Sequence, residues 1–268
     1  MEIKEINVSL SAVLPNAPFA NNRPGYSIMA GLKPDEDVEE CINRLKKILH
    51  SQLDLDENRA KADLIERQYK NIRFRELHGK KYPSVTSILS WDTDWRVTED
   101  ELCQYASRGT IVHYLIEQFV KTGEWIDPQS DPEIKEEVDT VLSGSLKLHW
   151  NQCSHKEFFA QHGKDFEFKK TEQTVYNHEL CYSGRYDYYG TYKGEPAIID
   201  VKTGSHNFLQ LSAYAACVED PVTRLVVIPV SPTDNKSGCQ RPSVTDKIDM
   251  YMKKFTQKRR AFKQRFGL

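Results

Sequence analysis

Apolar positions along this chain follow two periods, and the change between them marks out its predicted elements. Ile6, Val8 and Leu10 alternate with polar residues, which predicts a strand within Ile3 to Val13, and Tyr26 to Leu32 predicts a second. Val38, Ile42, Leu45, Leu49 and Leu53 share one stripe, predicting an amphipathic helix from Asp35 to Leu53 with acids early and bases later, as the helix dipole favours. Asp56 to about Arg75 is predicted to continue as a charged helix. After a Pro-started segment, Tyr82 to Leu89, that leads into a short helix, a longer one is predicted over Glu99 to Thr122, with Leu102, Ala106, Val112, Leu115, Ile116 and Phe119 as its inward stripe. Glu133 to about His162 reads as one or two more helices.

The period then shortens to two. Glu167 to Tyr176, Leu180 to Tyr192 and Pro196 to Val201 are predicted strands, with turn signals at Asn177-His178 and Lys193-Gly194. A helix over Phe208 to Val218, an apolar strand over Arg224 to Val230 and a final helix over Asp246 to Phe266 complete the chain. Helix, three strands, helix, strand is the order of an α/β sandwich. Residues 1–75 read as a small accessory α+β module and residues 76–268 as the main domain.

Composition narrows the picture only slightly. A chain of 268 residues, 39% hydrophobic and 28% charged, buries a substantial core as one domain, or one plus an appendage. The net charge of −2 hides an uneven spread: acids crowd Asp35 to Glu57, whereas Lys253 to Arg265 contains none. Six widely spaced cysteines lack the close pairs of a zinc or iron–sulfur site. The start resembles neither a signal nor a transit peptide, and no apolar stretch approaches the ~18–20 residues that span a bilayer. A reduced, cytoplasmic location with no membrane association is therefore expected.

Candidate chemistry gathers on four predicted elements. His113 and Glu117 lie four apart on one helix face. Asp187 stands near the tip of the second strand of the three, in Gly184-Arg185-Tyr186-Asp187. Asp200 and Lys202 alternate onto one face at the end of the third. Gln210 and Tyr214, again four apart, open the next helix. Carboxylates bind a hard divalent cation and an ammonium beside them binds an anion, so the set suits hydrolysis of a phosphodiester. His113 would add a nitrogen ligand, compatible with Mg²⁺ or Mn²⁺ and favouring Mn²⁺. Singly each has a plainer reading: Asp200 and Lys202 as a surface salt bridge, His113 as a satisfied helix histidine, Glu117 as a solvated residue, Asp187 as a turn residue, Tyr214 as core. Tyr186, Tyr188 and Tyr189 suit either base stacking or hairpin packing. In the last helix Ile248, Met252, Phe255, Phe262 and Phe266 form an apolar stripe, with Lys253, Lys254, Lys258, Arg259, Arg260, Lys263 and Arg265 around it, a pattern open to phosphate contact or to simple solvation.

Together the motifs resemble the PD-(D/E)xK nuclease superfamily, RecB-like branch, from about Tyr82 to the C-terminus. Gly109-Thr110-Ile111-Val112-His113 with Glu117 resembles its first motif, Gly184-Arg185-x-Asp187 the second, Ile199 to Gly204 the third, and Gln210-x-x-x-Tyr214 the signature after it. Tyr82 to Thr86 is similar to a segment of phage exonucleases and of the mitochondrial genome maintenance exonuclease. The resemblance implies a restriction-endonuclease-like core: a mixed central sheet flanked by helices, with the N-terminal α+β extension added. It implies metal binding by His113, Asp187, Asp200 and the Val201 carbonyl, with Lys202 catalytic beside Asp200 and Asp187 and Glu117 in support. Gln210, Tyr214, Arg185 and Thr203 would meet substrate or brace the lysine. The iron–sulfur cluster of some relatives needs cysteines that are missing here, where only Cys239 lies in the C-terminal part.

The implied protein is a Mg²⁺- or Mn²⁺-dependent deoxyribonuclease, an exonuclease acting on single-stranded DNA ends in replication, recombination or repair. Its location would be the host cytoplasm if phage-encoded, and residues 1–75 would be a surface for other replication or recombination proteins. The alternatives are an endonuclease or flap-type nuclease, and a nuclease-fold DNA-binding assembly protein with little cleavage.

Overall fold

The computed structural model describes residues 5–17, 20–22, 24–32, 36–93, 97–203, 207–230 and 241–268. Asp35, Gly204 and Cys239 therefore lie outside the described residues. The architecture is mixed α/β, and the chain divides into two compact units.

The first unit comprises Met1–Trp91, His178–Ser183 and Lys258–Leu268. Strand β1 (Glu5–Ser11) is followed by the short β2 (Leu14–Ala17) and β3 (Ala20–Asn22) and then by β4 (Gly25–Gly31), which pairs with β1 antiparallel from Glu5↔Gly31 to Ser11↔Gly25. Their inward residues meet α1 (Val38–Gln68), where Ile6, Cys41 and Leu45 form a buried cluster. Asp37 caps α1 by accepting the Glu40 N–H at 2.9 Å, leaving Glu39 and Glu40 in the first turn.

The expected continuation of the helix to about Arg75 is corrected here in its end point: α1 runs unbroken but stops at Gln68. Tyr69 caps it in extended conformation, and Glu66 turns its carboxylate to the Phe74 N–H at 3.0 Å. That contact starts β5 (Phe74–Leu77), which pairs with β6 (Lys80–Pro83). Ser84 then caps α2 (Val85–Ser90) through the Ser87 N–H.

The second unit comprises Asp92–Asn177 and Gly184–Gln257 and contains every candidate site residue. Helix α3 (Glu99–Thr122) starts in a capping box, with Thr98 accepting the Glu101 N–H and Glu101 accepting the Thr98 N–H at 2.8 Å. Its inward stripe holds Val112, Leu115 and Ile116 as expected and Ile111 in addition, but not Leu102, which is 45% exposed, or Ala106. Gln104 and Arg108 are buried instead. Gln104 is inward because its Oε1 accepts the Leu146 N–H at 3.0 Å.

Helices α4 (Lys135–Ser143) and α5 (Gln152–His162) precede strands β7 (Phe166–Asn177), β8 (Tyr182–Tyr192) and β9 (Glu195–Lys202). Helix α6 (Phe208–Ala215), strands β10 (Arg224–Pro229) and β11 (Ser243–Thr245), and helix α7 (Ile248–Phe266) follow. The five-stranded sheet has the order β11-β10-β9-β8-β7 and is mixed: β9 pairs antiparallel with β8 and parallel with β10, as a crossover through α6 requires. Its core gathers Val112, Ile116, Tyr188, Ile199, Val201 and Val226.

Tyr186, Tyr188 and Tyr189 are all buried, and Tyr188 meets Phe168 edge-on at 4.9 Å, so packing accounts for them. Arg259 is likewise not a surface cation. It is 3% exposed, and its guanidinium donates to the carbonyls of Leu180, Cys181 and Leu268 at 2.7–2.9 Å. Among the described residues no helix is long and apolar enough to cross a membrane.

Candidate metal centre

The register of the β8–β9 hairpin positions the two acids. Lys193 and Gly194 both take positive φ (52° and 82°) and close the hairpin in two residues, with Tyr192 opposite Glu195. Counting back, Tyr188 faces Ile199, which brings Asp187 to the level of Asp200 at the end where β9 gives way to α6. Asp187 Oδ2 accepts the Val201 N–H at 2.8 Å and lies 3.3 Å from His113 Nδ1 on α3. Lys202 Nζ lies 2.7 Å from Asp200 Oδ2. This is an ion pair, but not a surface one, because Asp200 is 1% exposed.

A third acid joins from β7. One ligand atom each from His113, Glu172 and Asp187 lies within 4.8 Å of the other two. Glu172 sits at φ 51°, a left-handed conformation in mid-strand that costs a non-glycine residue about 1–2 kcal/mol. Such a break in a strand redirects a side chain, and here Arg185 meets the carboxylate through Nε at 2.8 Å. The sequence carries no clear signal for it, because Val175 and Tyr176 put apolar side chains on both parities.

Burial sets the electrostatics. It raises Asp200 to about 7, with Asp187 adding to the effect and Lys202 opposing it. It raises Asp187 to about 6 against the pull of Lys202 and the Val201 N–H. Glu172 is also raised by burial, with Arg185 opposing. Burial lowers His113, leaving a neutral imidazole able to donate a lone pair. Burial works against the Lys202 ammonium too, but Asp200 and Asp187 outweigh it and raise its pKa.

Two observations test whether a cation fits these residues. Apart from the Lys202 ammonium and the Asp187 carboxyl beside it, neither Asp200 oxygen has a hydrogen-bond partner among the described residues, although an ionised carboxylate buried this deeply ordinarily collects two or three donors. The donor set, one imidazole with carboxylates from β7, β8 and β9, matches the preferences of Mg²⁺ and Mn²⁺. His113, Glu172, Asp187 and Asp200 could hold such an ion.

The remaining candidates are placed as follows. Glu117 lies on α3 but pairs with Lys121 at 2.6 Å. Gln210 donates to the Tyr214 hydroxyl at 2.8 Å. The buried Tyr214 ring lies against Gly184, where an added Cβ would stand 2.2 Å from Tyr214 Cε1. Only glycine admits that approach, which explains the residue type at the head of Gly184-Arg185-x-Asp187. Thr203 accepts from Arg108 Nη2 through its hydroxyl at 3.0 Å and its carbonyl at 3.3 Å. Arg108 had no place in the expected site, although a charge four residues before Val112 on a core-facing stripe is itself a signal. The sequence matches no protein-family model and no curated protein.

Proposed function

We propose that this chain is a divalent-metal-dependent deoxyribonuclease of PD-(D/E)xK type, with a restriction-endonuclease-like core, working from single-stranded DNA ends. The observation that carries this reading is a fully buried carboxylate, Asp200, met by the Lys202 ammonium but by no backbone or neutral donor among the described residues, beside Asp187 and His113. An acid in that position is stabilised by a cation, and a lysine beside it by an anion. A phosphodiester with its metal supplies both.

When bound, the ion would lower the pKa of water and polarise the phosphoryl group. The protein's own groups do the rest. Asp187 and Asp200 hold the cation as carboxylates, Glu172 supplies a third, and neutral His113 contributes nitrogen. Lys202, kept protonated by its acidic neighbours, stabilises charge developing on the phosphate oxygens rather than accepting a proton. Burial keeps the dielectric low, which strengthens each of these interactions.

The test digests end-labelled single-stranded, duplex, flapped and circular DNA with Mg²⁺ and with Mn²⁺. Linear single strands should be degraded, EDTA should stop the reaction, and Asp200→Ala and Lys202→Ala should abolish it while circular dichroism stays native. Full activity in either folded variant would sink the assignment. Cleavage of closed circles would turn it into an endonuclease.

A further inference from the structure

Among the described residues two arginines are buried, and they are not alike. The Arg259 guanidinium is filled: Nε, Nη1 and Nη2 each donate to a backbone carbonyl. Among those residues Arg108, 8% exposed on the inward stripe of α3, bonds only through Nη2, to Thr203. Its Nε is buried without a partner among the described residues. No described carboxylate pairs with it, and burial lowers its pKa with only Tyr105 acting in the opposite direction. A structural tie to one hydroxyl and one carbonyl needs two donors, whereas Arg108 brings five and a charge. A buried cation without a counter-charge is expensive unless something negative meets it. Thr203 directly follows Lys202, so the waiting charge stands one residue past the proposed reacting centre. Tyr105, 43% exposed, lies with its ring centre 5.7 Å from Arg108 Cζ.

We infer that Arg108, with the Thr203 hydroxyl, is an anion subsite that takes a phosphate of the nucleic-acid strand beside the reacting one, while Tyr105 stacks on the attached base. This rests on the nuclease reading for the identity of the strand, but not for the anion. Arg108 offers a planar fork to phosphate oxygens, and an aromatic face accepts any base.

The experiment has two arms on the full chain, both in EDTA so that nothing is cut. In the first, inorganic phosphate is compared with chloride at matched ionic strength in thermal unfolding. Phosphate should raise the midpoint of the wild type and leave Arg108→Gln unmoved. In the second, anisotropy of a labelled single-stranded oligonucleotide is followed across a salt series. Arg108→Gln should weaken binding about tenfold and flatten the log–log salt slope by about one contact, Arg108→Lys should keep the slope and lose part of the affinity, and Tyr105→Ala should weaken binding at unchanged slope.

Oligonucleotides with and without terminal phosphate separate the two sources of the group. Tighter binding of a phosphorylated end assigns it to a terminal monoester, and equal binding to an internal diester. A purely structural arginine would lower the unfolding midpoint and leave affinity per folded molecule and salt slope alone, which overturns the proposal. If Arg108→Gln does not fold, wild-type affinity in both Arg108→Lys and Thr203→Val overturns it equally. Should the wild type fail to cut DNA with metal yet gain stability from phosphate through Arg108, the nuclease reading falls and the anion site stands.

Discussion

Replacing Asp200 with asparagine should make the metal-free protein more stable at pH 8 and change it little at pH 4. In the folded chain Asp200 titrates at about 7, against an ordinary value of 3.8. Below the ordinary value both folded and unfolded chains carry the proton, and the acid is neutral in each. Between the two values only the folded chain retains it, so stability falls as pH rises; above about 7 the loss is complete. At ~1.4 kcal/mol per pKa unit, the isolated shift corresponds to about 4 kcal/mol. Part of that is repulsion shared with Asp187, so it does not add to the shift of Asp187. For a chain of this size, each kcal/mol moves the unfolding midpoint by roughly 2–4 °C. Urea unfolding of both proteins in EDTA at several pH values gives the difference directly. It should grow in favour of Asp200→Asn from pH 4 to 7 and then level off. Adding Mn²⁺ at pH 8 should reverse the order, stabilising the wild type alone. A difference that stays flat across this range would show that Asp200 is not held as a costly buried acid, and the case for a cation there would go with it.

Gly184→Ala should cost about 1–3 kcal/mol in chemical denaturation, because the new methyl meets a buried ring that cannot retreat; adding Tyr214→Ala should recover much of the loss in a double-mutant cycle. Glu172→Gly should act in opposite directions on two measurements: unfolding stability rises by up to about 1 kcal/mol as the left-handed backbone relaxes, while Mn²⁺ affinity by calorimetry falls about 10- to 100-fold. Unchanged Mn²⁺ affinity would remove Glu172 from the ligand set.

What could be read from the sequence was whatever depends on local period. The three strands from Phe166 to Lys202, the Lys193-Gly194 turn and the crossover through α6 follow from alternation, turn chemistry and apolar runs. Strand parity likewise puts Asp200 and Lys202 on one face and helix spacing does so for His113 and Glu117, while the hairpin register brings Asp187 level with Asp200. The misses share another cause: each is a polar residue whose position is decided by a distant partner. Gln104 is inward because Leu146 needs an acceptor, Arg259 because three carbonyls need donors, and α1 stops because Glu66 reaches Phe74. Glu172 belongs with them, its aim fixed by Arg185. Tertiary partners of this kind override the apolar stripe that a helical period alone suggests.

The two-residue turn at Lys193-Gly194 also acts as a ruler. Facing residues on a hairpin share a constant sum of residue numbers, as Tyr188 with Ile199 and Tyr192 with Glu195 do, so their separation is always odd. Asp187 and Asp200, thirteen apart, obey the same rule. Inserting one residue on either strand would turn one acid to the opposite side of the sheet. Insertions between the two acids are therefore tolerable only in compensating pairs, one per strand, and each pair lengthens the interval by two. A descendant of this chain could lose every other recognisable residue and still keep an odd interval between its two acids.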